Sequence, residues 1–455
     1  MGVHGCKMMI EEPKIKVGIL QGYGEINGSF NGPFVVNDDR RFDGGFSGRA
    51  EGGRVVLSSA AGDEIFRQKK IRCTSLNDST FTLFDVKIGA DFHWERKQKQ
   101  TFRGDLTLIL DTDETLVAIN EILLEDYLLS VISSEMSAEA PLEFLKAHAI
   151  TSRSWLMATL RHTRKSTHAD KAPPAPVQQT VRQTDELIRW YDRIDHTLFD
   201  VCADDHCQRY QGITRLMSLN PSNAVDATRG IFLVYNNEIC DARYHKACGG
   251  MTENFENTWE NKPVPYLTSV SDSAIAYKPI RKETGAKQWI MSNPDAYCNT
   301  TDVNILRQIL PSFDQETTDF FRWKVIYGRA ELEEIIRGKT GMDFSNLRNL
   351  IPVERGPSGR IIRLKIEGSG RTLTIGKELE IRRWLSRSHL YSSAFVVSVE
   401  HDSYGLPIRF ILEGAGWGHG VGLCQIGAAV MAAKGFPAES ILQHYFRGAE
   451  LKKLY

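Results

Sequence analysis

Leu124-Glu125-Asp126-Tyr127-Leu128-Leu129-Ser130-Val131-Ile132-Ser133-Ser134-Glu135-Met136 is where the period of the chain changes. Leu124, Tyr127, Leu128, Val131 and Ile132 recur at i, i+3 and i+4, so the spacing predicts an amphipathic helix that ends near Glu135. Pro141 suits the first turn of a second helix, with Glu143 just inside it, and Leu142, Leu145, Ala149, Ser152 and Leu156 supply its buried stripe. Two helices therefore flank residues 133–140.

Upstream of this point the pattern is different. From Lys14 to about Asn120, short runs rich in Val, Ile, Thr and Phe are separated by Gly, Asn and Asp, which reads as strands and tight turns. Downstream, strand-like runs resume at Gly230–Tyr235 and continue to about Val270, residues 280–350 look mostly helical, and strands return at Ile361–Ile366 and Ala394–Val399. A last helix is expected from about Ile426 to Phe446, with a break at Gly435-Phe436-Pro437. The fold class expected is α+β: a β-rich N-terminal region, a helical catalytic segment, and a mixed β core with a helical insertion. The expected organisation is a tail at 1–13, a β-rich domain at 14–104, and a core in two parts at 105–275 and 351–455. A mainly helical stretch at 276–350 separates those parts, and the proline-containing segment 163–184 is an exposed excursion.

Composition bounds the function. A chain of 455 residues exceeds one ordinary core. The 56 basic and 57 acidic residues nearly cancel, so no overall field draws the protein to nucleic acid. No apolar run reaches the length of a membrane-spanning helix, and the start MGVHGCKMMIEEPKIK lacks the apolar region of a signal peptide. The 8 cysteines are too sparse for a disulfide scaffold, and only Cys202 and Cys207 are close together.

Four groups of residues, and a fifth, weaker patch, can carry chemistry. Glu135, at a helix end over apolar neighbours such as Met136, is a candidate proton donor if burial raises its pKa; the plain alternative is a solvated glutamate. Lys146 and Arg153, about two turns apart on the second helix, form a cationic ridge that would grip substrate or simply be solvated. His196, Cys202, His206 and Cys207 offer two imidazoles and two thiols within twelve residues, the donor set of a tetrahedral Zn²⁺ site. Four protein donors make such a site structural, and a Cys202–Cys207 disulfide or two unrelated thiols are the alternatives. Finally, the glycine-rich run Gly414–Ala428 leaves Trp417, His419 and Gln425 to stack on or hydrogen-bond a ligand, or else forms a tight structural turn. Tyr244-His245-Lys246-Ala247-Cys248-Gly249-Gly250 is a weaker patch, in which Cys248 reads as an inert core thiol rather than a nucleophile.

Taken together, these segments resemble the stage II sporulation protein D family, which also includes amidase-enhancer proteins. The resemblance rests on Leu123–Leu128 leading to Ser134-Glu135-Met136, on Pro141-Leu142-Glu143, on Leu145–Ala149 and on Ser152-Arg153-Ser154. It continues through Asp200-Val201-Cys202 with His206-Cys207-Gln208, Tyr244-His245 with Gly249-Gly250, and Trp417–Gly422 ending at Gln425 and Gly427. It implies a peptidoglycan lytic transglycosylase that cleaves between N-acetylmuramic acid and N-acetylglucosamine and leaves a 1,6-anhydromuramoyl end. Glu135 would be its acid and then its base, with Lys146, Arg153, Tyr244, His245, Trp417, His419 and Gln425 on the substrate. The implied partners are glycan strands and a cell-wall amidase, and the implied location is the cell envelope, periplasm or exterior. The chain departs from the family at Lys246, Ala247 and Cys248, where small hydroxyl residues are common, at Cys424 in place of serine, and at His148 in place of glutamine.

Overall fold

A computed structural model describes residues 11–88, 96–112, 114–167, 180–182, 185–190, 196–317 and 319–455. Most of the expected N-terminal tail and residues 168–179, 183 and 184 of the expected excursion lie outside these. The fold is α+β with a β-rich N-terminal region. The chain divides into two units, one formed by Lys7–Leu145, Ile194–Ile231 and Lys453–Tyr455, the other containing Lys146–Arg193 and Phe232–Lys452.

The first unit is built on one large sheet. Its strands run in the order Val201–Cys202, Lys14–Tyr23, Thr115–Leu123, Asp105–Thr112, Lys70–Ser75, Glu25–Val36, Arg40–Glu51, Arg54–Ser59 and Glu64–Gln68. Thr80–Ile88 pairs with Glu25–Val36 and carries Arg96–Phe102 on its other edge. Gly52 and Gly53, at φ +57° and +68°, make the tight connection between Glu51 and Arg54, where both central residues must be left-handed. Lys14 lies opposite Leu123, so strands on both sides of residue 104 share this sheet, and the unit continues through the next helix. A chain of rings fills its core: Phe30 on Phe46 at 4.5 Å, Phe81 on Phe102 at 5.3 Å, Phe102 on Tyr210 at 5.8 Å.

Helix α1, Leu124–Glu135, follows the last long strand directly. Helix α2, Leu142–Thr167, follows Pro141, whose carbonyl accepts from the Leu145 N–H at 3.1 Å. The sequence predicted one buried stripe on α2, yet residues 147–157 are buried on every side. Two of the polar ones are hydrogen-bonded instead of solvated: Thr151 Oγ1 donates to the Ala147 carbonyl at 2.8 Å, and Ser154 Oγ accepts from the Leu233 N–H at 2.9 Å.

The second unit holds a five-stranded sheet in the order Thr180–Arg182, Glu186–Arg189, Thr372–Gly376, Ile361–Gly368, Leu347–Arg355, and a three-stranded one in the order Arg322–Gly328, Pro407–Ala415, Phe395–His401. Leu364, Ile366, Ile375, Trp384, Phe410 and Leu412 share its core. The stretch expected to be mainly helical, 276–350, contains helices Glu283–Met291, Val303–Ile309 and Arg329–Thr340, with strand Arg322–Gly328 among them. The strand run expected to reach Val270 stops at His245; beyond it only isolated bridges form, because Gly249 and Gly250 at φ +79° and +105° break the extended backbone. The expected last helix is two, Gln425–Ala433 and Ala438–Tyr445. No helix among the described residues is long and apolar enough to cross a membrane.

Candidate active site and cysteine-histidine cluster

Glu135 occupies the last turn of α1, which ends because Met136 is extended at φ −133° and ψ 174°. Its side chain is buried, at 8% exposure. A buried carboxylate needs donors, and one arrives from a remote segment: the Arg209 backbone N–H donates to Glu135 Oε1 at 3.0 Å. That segment is fixed to α1 at further points. The Tyr127 hydroxyl donates to Gln208 Oε1 at 3.0 Å, and the Gln211 N–H donates to Ser130 Oγ at 3.0 Å. The Tyr210 ring stacks on Tyr127 at 5.1 Å, and its hydroxyl reaches Asn120 Oδ1 at 2.5 Å. The Arg209 guanidinium is paired with the Asp205 carboxylate.

Immediately before this segment lie the four predicted metal donors, and the structure brings them together. The donor atoms of His196, Cys202, His206 and Cys207 all lie within 4.8 Å of one another. Cys207 Sγ is 3.3 Å from His196 Nε2 and 3.5 Å from His206 Nδ1, and Cys202 Sγ is 4.0 Å from His206 Nδ1. An S-to-N edge of a tetrahedron around Zn²⁺ is about 3.5 Å, from bonds of roughly 2.3 and 2.0 Å. The two thiols are not joined in a disulfide. Hydrogen bonding from Cys207 first, then His196 and His206, lowers the pKa of the Cys202 thiol against the opposing effect of burial, a direction that favours the thiolate a metal would bind. The adjacency of His206 and Cys207 is accommodated by a turn in which the Cys207 N–H donates to the Asp204 carbonyl at 3.0 Å.

The cluster is docked on the first strand of the sheet. Gly18 lies opposite Cys202 in a parallel pairing, and the Lys16 N–H donates to Asp200 Oδ2 at 2.9 Å. Residue 18 must lack a side chain, since a Cβ there would meet the Phe199 ring at 2.5 Å. Phe199 in turn packs on His196 at 4.6 Å.

The other predicted residues belong to the second unit. Lys146 is half-buried and Arg153 is fully buried on α2, so Arg153 is not a solvated surface charge. Tyr244 and His245 pair in parallel with Leu423 and Cys424, and Ala247 bridges Trp417. Trp417 is half-buried between Tyr391 at 4.3 Å and Phe320 at 4.9 Å. His419 is half-buried, packs on Trp259 at 5.1 Å, and accepts through Nδ1 from the Val421 N–H at 3.0 Å. Gln425 Nε2 and His148 Nε2 are 3.3 Å apart in the interior. Burial pushes His245 down to about 3, so it is neutral at ordinary pH; its Nδ1 is 3.1 Å from the Val421 carbonyl. Thus the structure groups Tyr244, His245, Trp417, His419 and Gln425 in one unit, and Glu135 with the Cys/His cluster in the other.

Sequence reasoning missed two arrangements. The Arg209 N–H on Glu135 is a backbone group with no side-chain signature. The buried set Cys248, Asp272, Cys298 and Cys424 is scattered along the chain, and no spacing rule connects its members.

Residues 112–235, which include Glu135 and the Cys/His cluster, match the Stage II sporulation protein family. Residues 253–422 match a domain of unknown function, DUF8618. Stage II sporulation protein D of Bacillus subtilis is 25% identical over 337 residues, 74% of this chain and 76% of that protein. An uncharacterized protein of Brachyspira hyodysenteriae is 25% identical over 345 residues, 76% of this chain and 70% of its own length. The amidase enhancer of Bacillus subtilis is 23% identical over 263 residues, 51% of this chain and 32% of the enhancer. Residues 112–235 thus carry a stage II sporulation protein domain, the chain is similar to stage II sporulation protein D and to an amidase enhancer, and these likenesses support a role related to the cell wall.

Proposed function

We propose that the protein is a lytic transglycosylase acting on peptidoglycan glycan strands, at the cell envelope or outside the cell, with Glu135 as its acid and base. The observation that carries this reading is a buried carboxylate at the end of α1 whose Oε1 is held by the Arg209 N–H at 3.0 Å. In the proposed reaction the carboxylic acid of Glu135 protonates the glycosidic oxygen as the bond to muramic acid C1 breaks. The resulting carboxylate then takes the proton of the C6 hydroxyl as O6 bonds to C1. No water is consumed, and one carboxyl group serves both steps, unlike the two of ordinary glycosidases. Lys146, Arg153, Tyr244, His245, Trp417, His419 and Gln425 are the residues proposed to position the sugar chain.

Zn²⁺ is the ion proposed for His196, Cys202, His206 and Cys207, where four protein donors give it a structural rather than a catalytic part. The test of function is product analysis on peptide-free glycan strands by mass spectrometry. Wild type is expected to release 1,6-anhydromuramoyl ends and Glu135→Gln to release none; reducing-end muramic acid would overturn the mechanism. A second reading, a non-catalytic activator of a cell-wall amidase, is favoured by the likeness to an amidase enhancer. It is distinguished by amidase stimulation that survives in Glu135→Gln.

A further inference from the structure

We infer that the second unit contains its own metal site, a buried tetrahedral Zn²⁺ centre formed by the thiolates of Cys248, Cys298 and Cys424 and the carboxylate of Asp272. This inference is independent of the proposed reaction and of the Cys/His cluster.

The four donors come from four separate parts of the unit, and all are fully buried, at 2%, 2%, 0% and 0% exposure for Cys248, Cys298, Cys424 and Asp272. Their donor atoms lie within 4.8 Å of one another. Cys248 Sγ and Cys298 Sγ are 3.6 Å apart, and neither is in a disulfide. Four bonds of the length zinc makes to sulfur give a tetrahedral edge of about 3.8 Å, so the observed separation suits two sulfurs sharing one ion and is far from the roughly 2.05 Å of a disulfide.

The surroundings are arranged for anions. Backbone amides point at the sulfurs: the Cys248 N–H donates to Cys424 Sγ at 3.3 Å, the Gly427 N–H to Cys424 Sγ at 3.4 Å, and the Gly250 N–H to Cys248 Sγ at 3.3 Å. Cys424 also caps the N-terminus of helix Gln425–Ala433, where the helix dipole favours a thiolate. Asp272 is oriented by outer partners, the Tyr445 hydroxyl on Oδ1 at 2.5 Å and the Cys298 N–H on Oδ2 at 2.8 Å, as ligating carboxylates are. A buried guanidinium and a half-buried one border the set: Arg360 donates to the Cys248 carbonyl at 3.2 Å and Arg322 to the Gly249 carbonyl at 3.2 Å. They offset part of the charge of minus two that three thiolates, one carboxylate and Zn²⁺ would carry. Gly427 is glycine because a Cβ would lie 2.2 Å from Asp272 Oδ1.

Binding of the ion displaces to solvent the protons carried by the three thiols and by Asp272, and no electrons are transferred. Because Cys424 is in register with His245, the centre would clamp the Tyr244–Gly250 segment to the end of the glycine-rich run. The chemistry recognised is therefore a thiophilic, tetrahedral divalent cation.

The test uses the full chain, produced with added zinc and purified under reducing conditions without chelator. Anomalous diffraction across the zinc edge is expected to show a peak bonded to Cys248, Cys298 and Cys424 at about 2.3 Å and to Asp272 at about 2.0 Å. Cys298→Ser is expected to lower the zinc content by one equivalent. Cys202→Ser/Cys207→Ser, which alters only the other cluster, leaves this peak in place. If Cys298→Ser does not fold, the wild-type map decides alone. The absence of an anomalous peak in this cage, or a Cys248–Cys298 disulfide in the reduced protein, would overturn the inference.

Discussion

Arg209 holds Glu135 through its backbone N–H, 3.0 Å from Oε1, while its own guanidinium is paired with Asp205. The donor is independent of the side chain at position 209, and it remains available to an amide oxygen. Glu135→Gln is therefore expected to keep the fold and to lower anhydromuramoyl release by roughly 10² to 10⁴-fold, the range for loss of a general acid or base. Parallel thermal melts and glycan assays check this. Full turnover in the variant would remove Glu135 from the chemistry.

The Cys/His cluster immediately precedes the residues bound to α1, so loosening it should be felt at Glu135. Cys207→Ser is expected to lower the melting temperature by several degrees and to reduce turnover, because metal-binding energy is folding energy. Differential scanning fluorimetry with metal analysis reads both effects. Unchanged melting would argue against a structural ion.

Tyr210 fills the space between Phe102 and Tyr127 and is 1% exposed. Tyr210→Ala is expected to cost about 3–5 kcal/mol through the cavity it leaves. Tyr210→Phe, which loses only the bond to Asn120, should cost about 1 kcal/mol. Urea titrations of the two variants separate packing from hydrogen bonding.

Burial, with a smaller contribution from Lys246, pushes His148 down to about 3. The same imidazole in the unfolded chain titrates near 6.5, so between these values the unfolded state holds a proton that the native state lacks. Its contribution is complete above about pH 6.5 and is lost progressively as pH falls toward 3. His148→Gln removes this dependence and leaves an amide facing Gln425. Between pH 7.5 and 5.0, wild type should lose about 2 kcal/mol more than the variant, as measured by urea unfolding at each pH. Equal losses would show that His148 is not buried in its neutral form.

The strand-rich region before residue 120 and helix α1 were legible from the types and spacing of their apolar residues, although α1 is buried at every position except Asp126 and Leu129. The Cys/His donor set was legible because its spacing is local. Strand Arg322–Gly328 was overlooked although Trp323, Val325 and Tyr327 alternate, since helical runs on both sides dominated the pattern. The glycines of the Trp417 run were expected to admit close approach of backbone, and they do so toward the chain itself. A Cβ at Gly422 would lie 2.1 Å from the Arg243 carbonyl oxygen, and one at Gly420 would lie 2.4 Å from the Arg360 guanidinium. Such partners lie more than fifty positions away, and periodicity carries no information about them.

The pairing of Lys16 with Asp200 spans 184 residues, whereas the donors that follow Asp200 lie close together in the sequence. Closing the small loop is cheap in chain entropy, and joining it to the first strand is the expensive step. An ion captured early would therefore preassemble a compact knot that docks late, making non-local closure the slow event in this unit's folding.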